Sequence, residues 1–276
     1  MSYIEHGIFN LPDFIPYCRY PICTNPHGHE VAAASESWLL ASAPMTAKKC
    51  REFKDLKAGS LAAMCYPDTD KGRLRVCAGY LNYLFKLDDW SDEFDVKDID
   101  SMKDCVIGAL NDPVGFETNK AVGKLAKCFF GRFVQDEGPH CTQRFIDTMV
   151  PFFRAVTQQA LDREHNNIPD LESYIALRRN TSGCKPCFAL IEYAACIDLP
   201  DMVMKHLSIE ILENATNDLQ GLSLQEAIDS VGELCKDTID AFEFTRRSLP
   251  SWGPDLDRQV QLYIDGVQNW IIGSSH

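Results

Sequence analysis

Leu87-Asp88-Asp89-Trp90-Ser91-Asp92-Glu93-Phe94-Asp95 decides how this chain is read. It places five carboxylates within residues 88–95, directly after an apolar run. That run, Val76, Tyr80, Tyr83, Leu84 and Leu87, is spaced three and four apart, the pattern of a helix with one buried face. On such a helix Asp88 and Asp92 stand about 40° apart and point the same way. Two carboxylates one turn apart, at the end of a helix rooted in a core, repel each other unless a cation sits between them. A hard divalent ion such as Mg²⁺ takes oxygen ligands, one or two from protein and the rest from water and substrate phosphate. The same residues also read as an acidic, solvated helix end, common in acidic chains. The stretch alone leaves both readings open.

The surrounding chain reads as helical. Residues 1–30 are proline-rich with little periodicity and read as an irregular arm on the body. Helical patterns then follow at 31–43, 45–56, 58–66, 71–90, 97–111, 116–132, 139–165, 170–195, 200–219, 224–247 and 254–272. No sustained period-two alternation and no Asn-Gly turn marks a strand. Linkers are short, with no Gly-, Ser- or Pro-rich boundary, so residues 31–276 form one all-α domain, a packed helical bundle.

The composition narrows the partners. The chain has 276 residues, 45% of them apolar, and a formal charge of −13. That charge argues against nucleic acid or an anionic membrane as the main partner. No apolar stretch approaches the ~20 residues that span a bilayer, so the expectation is a soluble, cytoplasmic protein. The twelve cysteines are scattered. Cys18, Cys23, Cys65, Cys77, Cys105, Cys128, Cys196 and Cys235 sit among apolar neighbours and read as small hydrophobes. Cys184-x-x-Cys187 has no second such pair and no histidines at zinc spacing, and reads as structural rather than metal-binding or redox-active.

Asp88-Asp89-x-x-Asp92 after an aromatic-apolar helix resembles the DDxxD motif of class I terpene synthases. Further stretches resemble the fungal, basidiomycete-type sesquiterpene cyclase branch. They are Phe9-Asn10-Leu11-Pro12-Asp13, Asn25-Pro26-His27, Glu36-Ser37-Trp38-Leu39-Leu40, Leu177 through Pro186 (LRRNTSGCKP) and Leu249-Pro250-Ser251-Trp252-Gly253-Pro254. The likeness runs in order over nearly the whole chain. It implies a single-domain isoprenoid-synthase bundle around a central pocket. Mg²⁺ would be the cofactor and an isoprenoid diphosphate, farnesyl diphosphate first, the substrate. A monomer or a homodimer fits that reading.

The resemblance also implies site residues. Asp88 and Asp92 would be the main metal ligands, and Asp89 a bridging or outer group. A family arginine that reads diphosphate lies just before a helix break; Gly183 and Pro186 weaken or kink a helix, which points to Arg178, with Arg179 and Lys185 in reserve. Phe145, Met149, Phe152, Phe153 and Val156 form one aromatic-apolar stripe, and Phe129, Phe130 and Phe133 end the preceding helix. Such stripes are ordinarily core. In a terpene cyclase some would line the pocket, where ring faces stabilise a carbocation by up to ~2 kcal/mol.

The family's second metal motif, Asn-Asp-x-x-Ser-x-x-x-Glu, is interrupted. Asn217-Asp218-Leu219 begins it, but the next ligand positions hold Gly221 and Gln225. Ser223 and Glu226 would lie about 240° and 180° from Asn217 on a continued helix. They read instead as a capping box opening a new helix, with Gly221 ending the previous one. The expectation is that a block is missing after Leu219, and that the family's C-terminal Arg-Tyr pair does not follow, the domain being C-terminally shortened. Two functions result: a class I sesquiterpene synthase, with Asn217 the surviving part of the second metal site, or a cyclase-fold protein that is catalytically impaired or inactive. A prenyltransferase would need a second aspartate-rich motif. An acidic helical interaction protein would not explain the ordered landmarks.

Overall fold

The computed structural model describes residues 10–275 except 11, 14, 137 and 213–223; the side chains at 171, 208–212, 224–228 and 231 also lie outside the description. Among the described residues there are twelve α-helices and no strand. They are α1 (Gly28–Ser42), α2 (Ala47–Asp55), α3 (Ala58–Cys65), α4 (Lys71–Glu93), α5 (Val96–Asn111) and α6 (Ala121–Phe133). Then come α7 (Pro139–His165), α8 (Leu171–Thr181), α9 (Cys184–Ala195), α10 (Asp201–Leu212), α11 (Leu224–Ser248) and α12 (Pro254–Gly273).

Local chemistry explains half of the starts. Thr46, Asp70, Asp95 and Asp170 cap α2, α4, α5 and α8 by accepting from backbone N–H groups in the first turn, which otherwise have no partner inside the helix. Pro139 and Pro254 open α7 and α12, where a missing N–H costs nothing.

Two expected elements differ. The pattern at 116–132 becomes helix only from Ala121. The pattern at 170–195 is two helices, because Ser182 ends α8 and Gly183 takes φ +70°. Pro186 falls in the first turn of α9, so it begins a helix rather than kinking one.

α4 is the axis of the bundle. It packs against α1, α3, α6 and α9, while α7 packs on α5, α8 and α9, and α12 on α3 and α9. Leu74, Cys77, Tyr80, Tyr83 and Leu87 of α4 are fully buried. Each large apolar side chain so buried contributes about 1.5–3 kcal/mol. The aromatic stripes are core. Phe145, Met149, Phe152, Phe153 and Val156 are all at most 2% exposed. Tyr80 meets Phe145 edge-on at 5.1 Å, and Phe130 stacks on Phe133 at 5.2 Å, geometries that ring quadrupoles favour. The cysteines divide: Cys18, Cys65, Cys77 and Cys105 are buried, but Cys23 and Cys196 are exposed, against the expectation.

Two polar ties hold the frame. At the base of α4, Arg73 donates to the carbonyls of Tyr193 (2.6 Å) and Asp136 (3.0 Å), and its guanidinium lies 4.7 Å from the Tyr193 ring centre. Between α7 and α9, Arg144 grips the fully buried Glu192 through Nε (2.9 Å) and Nη2 (2.7 Å). Glu192 also accepts from Leu199 N–H at 3.0 Å, and Arg144 reaches Asp201 at the start of α10. This fork satisfies a charge that would be costly alone.

Candidate functional site

The outer end of α4 carries the acidic stretch, and the fold sorts its five carboxylates. Asp95 is spent on α5, accepting from Asp98 N–H at 2.8 Å. Glu93 pairs with Lys49 of α2. Asp89 is held by Lys49 at 3.1 Å and by Lys86, whose side chain is only 5% exposed and lies over the Trp90 ring. Burial by itself would raise the Asp89 carboxyl, but the hydrogen bonds from Lys86 and Lys49 outweigh it and hold the group below its ordinary value.

Asp88 and Asp92 are the two left facing outward, both exposed. The Asp88 carboxyl is pushed above its ordinary value, first by the protein packed around it and then by Asp92, with the Arg178 charge pulling the other way. Water reaches Asp88, so this is a group in a recess rather than a sealed one. The shift records partial loss of water around the carboxyl first, and a like charge on the same helix face second. Asp92 is approached by Arg163 of α7 at 3.7 Å, and Arg163 also donates to the Ser91 carbonyl at 2.8 Å.

Opposite α4 stands the α8–α9 break. Arg178, in the last turn of α8, donates to Thr181 Oγ1 at 3.4 Å and acts electrostatically on Asp88. Gly183 is tied to α4. A Cβ there would fall 2.6 Å from Leu84 Cδ2, one helical turn before Asp88. Lys185 donates to Asn180 Oδ1 at 2.8 Å, and burial, then Arg179, lowers its ammonium below the ordinary value.

The structure thus leaves Asp88 and Asp92 exposed on one face with Arg178 in electrostatic reach of Asp88, ties Asp89 away to lysines, and puts Arg179 in electrostatic reach of Lys185. Asn217, Gly221 and Ser223 lie outside the described residues, as do the side chains of Gln225 and Glu226; α11 begins at Leu224. Lys49, Lys86 and Arg163 were not singled out in the sequence. Lys86 is three residues before Asp89 and was findable as a helical pair; the other two arrive through tertiary packing.

The donor chemistry fits a divalent cation. Among the described residues no group of three or more His, Cys, Asp or Glu side chains converges. Asp88 and Asp92 are two hard oxygen donors on one face, and a divalent site of this kind fills its other positions with water and substrate. A cavity of about 710 Å³ lies elsewhere, between the arm at Tyr17–Tyr20 and α11–α12, and contains none of these residues.

Comparison with known proteins bears on the same residues. Residues 80–222 match the family model described as terpene synthase family 2, C-terminal metal binding. That span contains Asp88, Asp92, Arg178 and Asn217. Sesquiterpene synthase 1 of Postia placenta is 43% identical over 293 residues, covering 96% of this chain and 86% of the relative. Alpha-muurolene synthase of Coprinopsis cinerea is 41% identical over 305 residues, covering 97% and 72%. Both alignments are longer than the 276 residues of this chain, so the relatives carry residues within the matched span that this chain lacks. In fold, the chain resembles the linalool/nerolidol synthase from Streptomyces clavuligerus, solved with 2-fluorogeranyl diphosphate (TM-score 0.77, 18% identity, 94% and 96% covered). It also resembles hedycaryol synthase solved with nerolidol (TM-score 0.70, 20% identity, 96% and 97% covered).

Proposed function

Because the chain belongs to the terpene synthase family, whose matched model is a metal-binding one, we propose that it ionises farnesyl diphosphate with Mg²⁺ and cyclises the resulting cation to a sesquiterpene. The observation that carries this is the exposed Asp88–Asp92 face at the end of α4, against which the α8–α9 break carrying Arg178 is seated through Gly183 and Leu84. Bound Mg²⁺ supplies Lewis-acid neutralisation of the departing diphosphate.

The chain's own residues do the rest. Asp88 and Asp92 hold the cation site, with Asn217 assigned to the second one. Arg178 donates to diphosphate oxygens whose charge grows as the carbon–oxygen bond breaks, where fixed cationic donors are worth most. Lys49 and Lys86 hold Asp89, so Asp88 and Asp92 are the two carboxylates that would hold the cation. Arg179 and Lys185 form a cationic reserve beside the break.

The interruption after Leu219 and the longer alignments of the relatives favour a second reading: a cyclase fold with impaired or no turnover. One experiment separates them. The purified chain is incubated with farnesyl diphosphate and Mg²⁺, with an EDTA control, and volatiles are read by gas chromatography with mass detection. A Mg²⁺-dependent hydrocarbon or alcohol, lost in Asp88→Asn, is the expected result. No product from a folded, helical chain supports the impaired reading, and unchanged turnover in Asp88→Asn removes the metal role given to that residue.

A further inference from the structure

Cys184-Lys185-Pro186-Cys187 fills the first turn of α9, directly behind the left-handed Gly183. Cys184 is the first helical residue and partly exposed; Cys187 is the fourth and 1% exposed. Residues three apart on a helix have Cα atoms about 5 Å apart, inside the roughly 4.4–6.8 Å that a disulfide spans. We infer that Cys184 and Cys187 are a reversible dithiol–disulfide pair, closed by a hydroperoxide and reopened by thiols. The sequence reads this pair as structural. The fold adds what the reading lacked: one accessible sulfur and one buried sulfur at the start of a helix, a recurring redox arrangement.

Burial raises the Cys187 thiol well above its ordinary value, so Cys184 attacks first. Its sulfur takes one oxygen of hydrogen peroxide as the O–O bond breaks, giving a sulfenic acid and water. The Cys187 sulfur then displaces that oxygen, forming the S–S bond; the oxygen leaves as a second water with the Cys187 proton. The two sulfurs together lose two electrons, and the peroxide gains them.

Closure reaches the α8–α9 break. Cβ atoms three apart on a helix lie about 5–6 Å from each other, whereas a disulfide holds them at about 3.5–4.5 Å. The first turn of α9 must tighten, drawing Cys184 inward. Its N–H bonds Ser182 Oγ at 3.4 Å, and the Ser182 N–H bonds the Arg178 carbonyl at 2.9 Å. Given the diphosphate role proposed for Arg178, oxidation weakens diphosphate binding.

The test uses the whole chain treated with hydrogen peroxide, then alkylated and mapped by mass spectrometry, with dithiothreitol reversal. The expected result is a Cys184–Cys187 bond, absent in Cys184→Ser and in Cys187→Ala. A bond from Cys184 to Cys65 or Cys77, the neighbouring buried thiols that also act on Cys187, overturns the pairing, as does irreversible oxidation. Calorimetric titration with inorganic pyrophosphate and Mg²⁺ provides the second readout. Affinity should fall several-fold on oxidation in the parent and stay unchanged in Cys184→Ser. A mapped bond without that fall overturns the coupling to Arg178. A reduced chain that binds no pyrophosphate refutes the role of Arg178 and leaves the thiol pair standing.

Discussion

Replacing Gly183 with alanine should cost stability through two separable effects. The first is backbone strain. Gly183 has φ +70°, and an L-residue in that region costs about 1–2 kcal/mol. The second is contact. The new Cβ would lie 2.6 and 2.8 Å from the two terminal carbons of Leu84, which is only 7% exposed and has little room to yield. Overpacking of this kind costs about 1–3 kcal/mol, so Gly183→Ala should lose about 2–5 kcal/mol in total. Leu84→Ala alone should lose about 2–5 kcal/mol by leaving a cavity. In the Leu84→Ala background the clash is gone and Gly183→Ala should cost only the strain, about 1–2 kcal/mol. Urea unfolding of the four proteins, followed by circular dichroism, gives the coupling directly. Additivity within about 0.5 kcal/mol would show that the α8–α9 break is not seated on α4, and that the link from Arg178 to Asp88 needs another explanation.

Three other outcomes follow from the same geometry. Arg144→Ala strands the fully buried Glu192 carboxylate and should cost about 3–5 kcal/mol in thermal or urea unfolding; a loss under 1 kcal/mol would mean the fork is not holding α7 to α9. Asp89→Asn removes a partner that is itself 39% exposed from a Lys86 side chain 5% exposed. With solvent screening the loss should be about 1 kcal/mol, and Mg²⁺ affinity by calorimetry should fall far less than in Asp88→Asn; equal losses would make Asp89 a ligand. Asp170 caps α8, and hydrogen bonds from Ser173, backbone first and then side chain, hold its carboxyl below the ordinary value. The stabilisation is therefore full above the ordinary aspartate range and lost as pH falls through the lowered value. Asp170→Asn keeps a cap that does not titrate, so the protection of α8 amides relative to their intrinsic exchange rates should no longer fall as acid is added; identical protection profiles in both proteins would refute the capping account.

The helices were legible because a buried face imposes its period on α4, α7 and α12, and because Asp and Pro residues mark their starts. The break after α8 was half legible: Gly183 and Pro186 marked a weak point in one expected helix, but the chain ends α8 there and starts a second helix at Cys184, with Pro186 in its first turn. What could not be read was the sorting of carboxylates. Helix geometry already sets Asp88 and Asp92 apart from Asp89, but that lysines hold Asp89 and Glu93 shows only when Lys49, some forty positions earlier, is folded against them. Arg163, 72 positions after Ser91, and the Arg144–Glu192 fork, 48 positions apart, leave no local trace. Separation along the chain says nothing about which charges meet once helices cross.

Arg73 has a mechanical consequence. It pins the base of α4 to the turn after α6 and to the last turn of α9, fifteen residues and about 22 Å below Asp88. A tilt of one degree about that fulcrum would sweep Asp88 sideways by about 0.4 Å, twice the ±0.2 Å or so within which coordination distances are normally held. Leu84 against Gly183 and Lys49 against Asp89 brace the same rod at mid-height and near its tip. Loosening the anchorage at Arg73 would therefore blur the aim of carboxylates it never touches.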